Sequence, residues 1–521
     1  MPRLTLQEKA ELRTLRNTER LELIKSSIRG RWGLNDWEVR YPWWRDPAQV
    51  RILMYADGQV SFVDGTFGGL TYVKTLLESR AYFYVDFEIT TAHRERNNTG
   101  ATLPGPRLLT DPELDILNKF DQIWFFGHNS DPDLSKDELE LLDAFMKPPK
   151  CGGVLVTGDH ENLGRGIAGQ IRRAGKMRLY PAPKRDGAEH NTTLEEGPDE
   201  NATFDENDQS DDLPQTIIYK RFPVWSQPGF KRLYRPHPVL CGPDGPIDVL
   251  PDHQHEGEAI APTDEQLDAD WPTRVDGHQE RPVVIAHGKT KEPGAGNREF
   301  GVVSAYDGHN VNVGRIVADS TWHHWFDFNL LGIDLPPHYL GFEATPRGRA
   351  ALKKIDAYFL NCGVWLAPPE RHAEMRKAAW WSIVWTGQIV ELSPNEPIFN
   401  LGAEAISVLK LRASSCAVTD WVLGSTAFNN EIPKLELQET LKQLTNLSLE
   451  QYVAGGILQQ LILKVGLSNP ERLFPSEPPS DEILQSAIDA GVDEGLSALK
   501  AQFESETSLV AKLVADNFRL A

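Results

Sequence analysis

Between Val50 and Thr157 the chain repeats one pattern, a short apolar run, a turn and a helix-like stretch, and this alternation restricts the fold more than any other feature. The runs are Arg51–Ala56 (RILMYA), Tyr82–Thr90, Gln122–Phe126 (QIWFF) and Gly153–Thr157 (GVLVT). Short, rich in β-branched and aromatic residues and bounded by Gly, Asp or Cys, they read as buried strands rather than helices. Gly69–Arg80, Glu113–Lys119 and Ser135–Phe145 carry helical spacing between them, and Ser135 with Glu138 three residues later is a capping-box signature. Strands alternating with helices imply right-handed βαβ units, and hence an α/β fold with a mostly parallel sheet covered by helices on both faces.

The order breaks at Tyr180, where a segment rich in Asp, Glu, Pro and Gly runs to about Trp271. Strand signals resume at Pro282–Ala286 (PVVIA), Phe300–Tyr306 and Val313–Ala318, and beyond Pro346 helical spacing takes over in Arg347–Phe359, Glu370–Trp385, Leu435–Leu444, Leu449–Val465, Ser480–Ala490 and Glu494–Asn517. The expected organisation is an N-terminal helical arm over residues 1–49, an α/β domain over 50–344 with an acidic insertion at about 180–271, and an all-helical C-terminal region over 345–521. Trp32, Trp37, Trp43 and Trp44 cluster where the arm would pack against a domain.

Charge and cysteine usage exclude several classes. The net charge is −21, and Asp186–Asp212 alone holds eleven acidic residues and no Lys or Arg, which fits a solvated insertion. No basic face for nucleic acid is visible. Cys151, Cys241, Cys362 and Cys416 have neither disulfide-framework nor zinc-ligand spacing, so a reducing, cytoplasmic setting is expected. The N-terminus lacks the apolar core of a secretory signal, and Ala378–Leu392 is too short to span a bilayer, so no membrane role is indicated.

The chemistry-bearing residues fall where the predicted strands end: Asp57, His93, His128, Asp159-His160-Glu161, His287 and His323-His324. In open α/β sheets ligands bind beyond the carboxyl ends of the strands. Imidazoles and carboxylates gathered there can exchange protons near neutral pH, or hold a divalent metal. The plainer reading is that His93 and His128 hydrogen-bond nearby loops and that Asp159 caps the next helix. His323 and His324 point to opposite faces if extended, so one of them at most enters a common site. No G-x-S-x-G elbow, P-loop or helix-opening G-x-G-x-x-G occurs, so no nucleotide cofactor is indicated.

Residues from about 50 to 335 resemble the ThuA-like (trehalose-utilisation) group of the class I glutamine amidotransferase-like superfamily. The resemblance rests on several short motifs: Phe126-Gly127-His128, the helix after it and the Gly-Gly strand at 152–157; His237-Pro238 with Gly242 and His255-Glu256-Gly257-Glu258; Gly314-Arg315 before the last strand and His323 after it. It implies a flavodoxin-like sheet and a site near Glu161 and His323. The superfamily's cysteine nucleophile is replaced within Thr157-Gly158-Asp159-His160, so glutaminase activity is not expected.

Two functions follow as expectations. One is a hydrolase or carbohydrate-modifying enzyme acting on a small molecule, with His160, Glu161 and His323 catalytic and Asp57, His128, Asp159, His255, Glu256 and His324 contacting substrate, the insertion closing as a lid. The other is a non-catalytic binding or assembly protein whose C-terminal helices meet a protein partner or a second copy of the chain.

Overall fold

The computed structural model describes residues 6–34, 45–66, 68–180, 214–224, 233–251, 257–275, 277–289, 299–332, 341–411, 413–423, 448–465 and 478–518. The chain divides into two compact units, one of Met1–Asp36, Gln49–Lys220 and Pro246–His372, the other of Trp37–Ala48, Arg221–Gly245 and Ala373–Ala521.

The first unit is built on an eight-stranded sheet. In chain order its strands are β1 (Ala48–Ala56), β2 (Val85–His93), β3 (Gln122–Phe126), β4 (Gly153–Thr157), β5 (Ile218–Tyr219), β6 (Val283–Lys289), β7 (Glu299–Tyr306) and β8 (Ile316–Asp319). Their order across the sheet is β2-β1-β3-β4-β8-β7-β6-β5. The seven expected strands are all present, and β1, β3, β4 and β8 run parallel. β7 is antiparallel to both β6 and β8, and β5 is antiparallel to β6, so the far side of the sheet departs from the parallel arrangement.

Register positions the functional end. Ala56 pairs with Phe126, Phe126 with Thr157, and Val156 with Ala318, so β1, β3, β4 and β8 stop at one level. The residues that follow them emerge along one rim.

Alternate strand residues bury opposite faces, as period-two geometry requires. Leu53, Tyr55, Ile123, Phe125, Val154, Val156, Ile316 and Ala318 share one core with Leu142, Phe145, Met146 and Ile167. The last four sit on helices α4 (Lys136–Met146) and α5 (Arg165–Ala168), which follow α1 (Leu6–Trp32), α2 (Thr71–Leu77) and α3 (Ile116–Lys119). α2 and α3 are shorter than the expected Gly69–Arg80 and Glu113–Lys119. On the other face Trp124 meets Trp325 edge-on at 5.5 Å, and Trp325 packs on Phe359 at 4.6 Å. Phe359 belongs to α7 (Pro346–Trp365), which follows the short α6 (Asp327–Leu331). The Gly before and at the start of β4 now has a reason: a Cβ on Gly153 would lie 2.1 Å from the Leu366 carbonyl oxygen just after α7.

α7 therefore belongs to the α/β unit, and the break between units falls at His372/Ala373 rather than at 345. The N-terminal arm also packs here, where the Arg31 guanidinium reaches Asp356 at 2.8 Å and Trp32 Nε1 donates to the same carboxylate at 2.9 Å. Trp37, Trp43 and Trp44 lie outside the described residues.

The rest of the chain is mainly helical: α8 (Pro369–Ile383), α9 (Ile398–Leu409), α10 (Ser415–Leu423), α11 (Leu449–Val465) and α12 (Asp481–Phe518). The expected helix at Leu435–Leu444 lies outside the described residues. The two expected at Ser480–Ala490 and Glu494–Asn517 are one continuous helix. Its Gly491 and Gly495 do not break it, because they face α11, where the carbonyl oxygen of Gly491 lies 2.0 Å from the Cβ position of Gly456. No described helix is long and apolar enough to cross a membrane.

Candidate functional site

Just past β4 the backbone turns sharply. Leu163 N–H donates to the His160 carbonyl at 3.3 Å and Asp159 N–H to the Leu163 carbonyl at 3.1 Å. The turn puts Glu161 at φ 52°, a left-handed conformation that costs a non-glycine residue about 1 kcal/mol or more. It also buries Asp159 at 1% exposure and leaves the His160 side chain at 30%.

Asp159 is the hub. Its Oδ2 lies 2.8 Å from His160 Nδ1 and 3.8 Å from His323 Nε2, and its Oδ1 accepts from the Thr321 hydroxyl at 2.9 Å. A carboxylate only accepts, so His160 carries its proton on Nδ1 and, when neutral, has a lone pair on Nε2. His323 Nδ1 lies 3.0 Å from Asn329 Oδ1, a contact that makes Nδ1 the donor and leaves Nε2 facing Asp159. Burial, opposed by the Asp159 charge, pushes the His323 imidazole down to about 4, so it is neutral at physiological pH.

A row of rings extends this cluster. Trp322 lies 5.6 Å from His323 on one side and 5.2 Å from His128 on the other. His128, which burial pushes below the ordinary imidazole range, is reached through its backbone by Asp57, whose Oδ1 accepts from the N–H groups of His128 and Asn129. Burial, opposed by those two bonds, raises the Asp57 carboxyl to about 7, a value suited to holding or giving up a proton near neutrality. Asp57, His128, Asp159, His160 and His323 thus stand along the ends of four adjacent strands.

Other expected residues do not join them. His324 turns to the opposite face, completely buried, with Nδ1 2.6 Å from Asp319 Oδ1 and Nε2 2.9 Å from Gln215 Nε2, so it does not contact substrate. His93 Nδ1 accepts from the N–H groups of Glu95 and Arg96 at 3.2 and 3.0 Å, a loop-fixing role. His287 lies within β6 rather than after it, and β7 stands between β6 and β8. Glu161 is half-buried beside His160 in the turn. His255 and Glu256 lie outside the described residues.

Sequence reasoning did not single out Thr321, Asn329 or Arg178. The first two flank the His pair in the stretch Asp319–Asn329, an available signal. Arg178 had none. It is 2% exposed, makes no ion pair among the described residues, and donates to the carbonyl oxygens of Asp159 and, at 2.6 Å, Ser320, joining the ends of β4 and β8. Gly257 leaves room for it, since a Cβ there would lie 2.1 Å from Arg178 Nη2.

This arrangement offers proton transfer. The His160 ring is oriented by a buried carboxylate, a second, neutral ring lies on the same carboxylate, and no cysteine or serine stands at the turn. Among the described residues no group of three or more His, Cys, Asp or Glu is arranged to hold a metal ion. Comparison with models of protein families, with curated proteins and with solved structures finds no match to the chain.

Proposed function

We propose that the rim is the active site of a hydrolytic enzyme that acts on a small molecule by general acid–base catalysis, with water as the nucleophile. Asp159 holds His160 so that Nε2 removes the proton from the attacking water. The His160 imidazolium so formed, stabilised by the Asp159 carboxylate, returns that proton to the leaving group; the neutral His323 packs against the same carboxylate and fixes its position, and His128 and Glu161 border the substrate. The observation that carries this reading is the single buried carboxylate shared by imidazoles from two neighbouring strand ends. The strand order β2-β1-β3-β4-β8 supports a flavodoxin-like core and a distant relation to the ThuA-like group, and a carbohydrate is the substrate class that relation favours.

The test is a survey of p-nitrophenyl glycosides, esters and phosphates with purified protein, followed by His160→Gln and Asp159→Asn. On a substrate that is turned over, each substitution lowers kcat by about 10²–10⁴-fold. Equal rates in wild type and both variants, or no turnover across the panel, would overturn the proposal.

A further inference from the structure

At the end of the sheet away from the rim, three buried polar side chains come together. Tyr306 closes β7 and pairs with Ile316 at the start of β8, whereas the rim follows Asp319 at its end. Trp271 meets the Tyr306 ring edge-on at 5.2 Å, and the Arg173 guanidinium lies 5.8 Å from the centre of the same ring. Arg173, Trp271 and Tyr306 are 2%, 1% and 0% exposed. Arg173 Nη1 donates to the Asp270 carbonyl at 3.2 Å. Its Nε and Nη2, together with Trp271 Nε1 and the Tyr306 hydroxyl, are buried with no hydrogen-bond partner among the described residues. The neighbouring cations are served differently: Arg172 reaches Asp270 at 2.7 Å and Asp143 at 3.2 Å, and Lys176 lies 2.5 Å from both Asp268 and Asp270. Arg173 makes no ion pair among the described residues, although a buried charge without a partner is costly. It is also held in a conformation few residues adopt. Ala174 N–H donates to the Arg172 carbonyl at 2.8 Å across Arg173, whose φ of 66° and ψ of −54° make a γ-turn of the rare, strained kind.

We propose that Arg173, Trp271 and Tyr306 form a binding site for a small organic carboxylate, separate from the rim. The ligand's two oxygens lie on Arg173 Nε and Nη2, and Trp271 Nε1 and the Tyr306 hydroxyl supply further hydrogen bonds. The choice of ligand follows from the unpaired atoms. Nε and Nη2 form one edge of the planar guanidinium, and the two parallel N–H groups of such an edge match the two oxygens of a carboxylate. Arg and Trp side chains only donate, and burial raises the Tyr306 phenol so that it keeps its proton. The four groups can therefore all donate, which calls for an anion rather than a cation. Trp271 and Tyr306 belong to the apolar core, against which Leu267 and Val311 also pack, so the surroundings suit an organic anion better than a strongly hydrated one. The strained turn at Arg173 fits this role, since such outliers persist where the chain must hold a side chain for a ligand.

The experiment follows thermal unfolding of the full chain against rising sodium acetate and sodium propionate, with sodium chloride holding the ionic strength constant. The expected result is a saturable rise in melting temperature with either carboxylate that a matched chloride titration does not give. Tyr306→Phe and Trp271→Phe keep an aromatic ring and remove one donor each, so each raises the half-saturating concentration about 3–10-fold. Arg173→Met abolishes the response, and Arg173→Lys, which keeps the charge but not the paired edge, does not restore it. Neither carboxylate stabilising the wild type beyond chloride, or Tyr306→Phe and Trp271→Phe responding as the wild type does, would overturn the proposal.

Discussion

His323 and His324 are neighbours in sequence with opposite work. His323 faces Asp159 at the rim, while His324 is sealed in a network where the Asp319 carboxylate accepts from His324 Nδ1 at 2.6 Å, Tyr358 OH at 2.7 Å and Trp325 Nε1 at 2.9 Å. Every member of that network is buried. Asp319→Ala would strand four buried donors, these three and the Thr321 N–H at 3.3 Å, and breaking such a buried arrangement costs about 3–5 kcal/mol. His324→Ala leaves one oxygen of Asp319 and the amide of Gln215 short of a partner and adds a cavity, with a loss of about 3 kcal/mol expected. His160→Gln, at a partly exposed position, is expected to change stability by less than about 1 kcal/mol while removing the proposed base. Thermal denaturation of the three variants beside wild type checks this, and a His324→Ala protein as stable as wild type would refute the structural role. The sequence exposed the adjacent pair, but the alternation expected of an extended strand does not operate here: β8 ends at Asp319, and the two rings diverge from a 3₁₀ turn, Trp322–His324. The sequence could not reveal which ring meets which carboxylate, because Asp159 and Asp319 lie after and at the end of different strands and only the β4–β8 pairing brings them near. Arg178 was illegible for a related reason: its partners are backbone carbonyls, and those leave no mark on residue type.

At the scale of elements, local signals were read well where the chain itself carries the interaction. The capping box at the start of α4 is formed, with Glu138 N–H donating to the Ser135 hydroxyl at 3.3 Å and the Glu138 carboxylate accepting from Ser135 N–H at 2.9 Å. What the pattern did not convey is that Glu138 is wholly buried, pairs with Arg94 just past β2 and accepts from Leu109 N–H at 3.2 Å. The two substitutions should therefore differ sharply. Ser135→Ala removes a cap, at a cost of about 1 kcal/mol. Glu138→Ala leaves a buried guanidinium without its anion, at a cost of about 3–5 kcal/mol. Chemical denaturation midpoints measure both, and equal losses would show that the capping role dominates. Strand direction was hidden in the same way: β7 is as apolar as β4, since periodicity reports burial and says nothing of which way a strand runs. In α12, Gly491 falls in the gap between the two expected helices, yet in place it is what lets α11 approach.

For the whole molecule, buried titratable groups of opposite kinds shape stability against pH. His323, His309 and His372 are pushed down by burial to about 4, 2 and 3. Between those values and the ordinary imidazole value the unfolded chain binds the extra proton, so each contributes stability that is present above about pH 6.5 and is lost as pH falls, about 2 kcal/mol apiece by pH 5. Asp57 and Asp327 have the reverse sign, since burial raises both carboxyls to about 7. The folded state holds their protons more tightly than the unfolded one, so stability returns as pH falls from about 7 towards 4, again by roughly 2–3 kcal/mol each at pH 5. The two sets nearly cancel down to about pH 4, where the carboxyls of the unfolded chain also protonate while His309 and His372 go on losing. Together these five groups contribute a nearly level stability from about pH 7 to 4.5 and a fall below it. The double substitution Asp57→Asn, Asp327→Asn removes only the compensating set. It should raise the melting temperature relative to wild type near pH 8 and make stability decline steadily from about pH 6.5. Melting curves across that range decide the matter: parallel wild-type and double-variant profiles would mean that these two carboxyls do not hold their protons in the folded protein, and the proton-holding role given to Asp57 at the rim would fall with them.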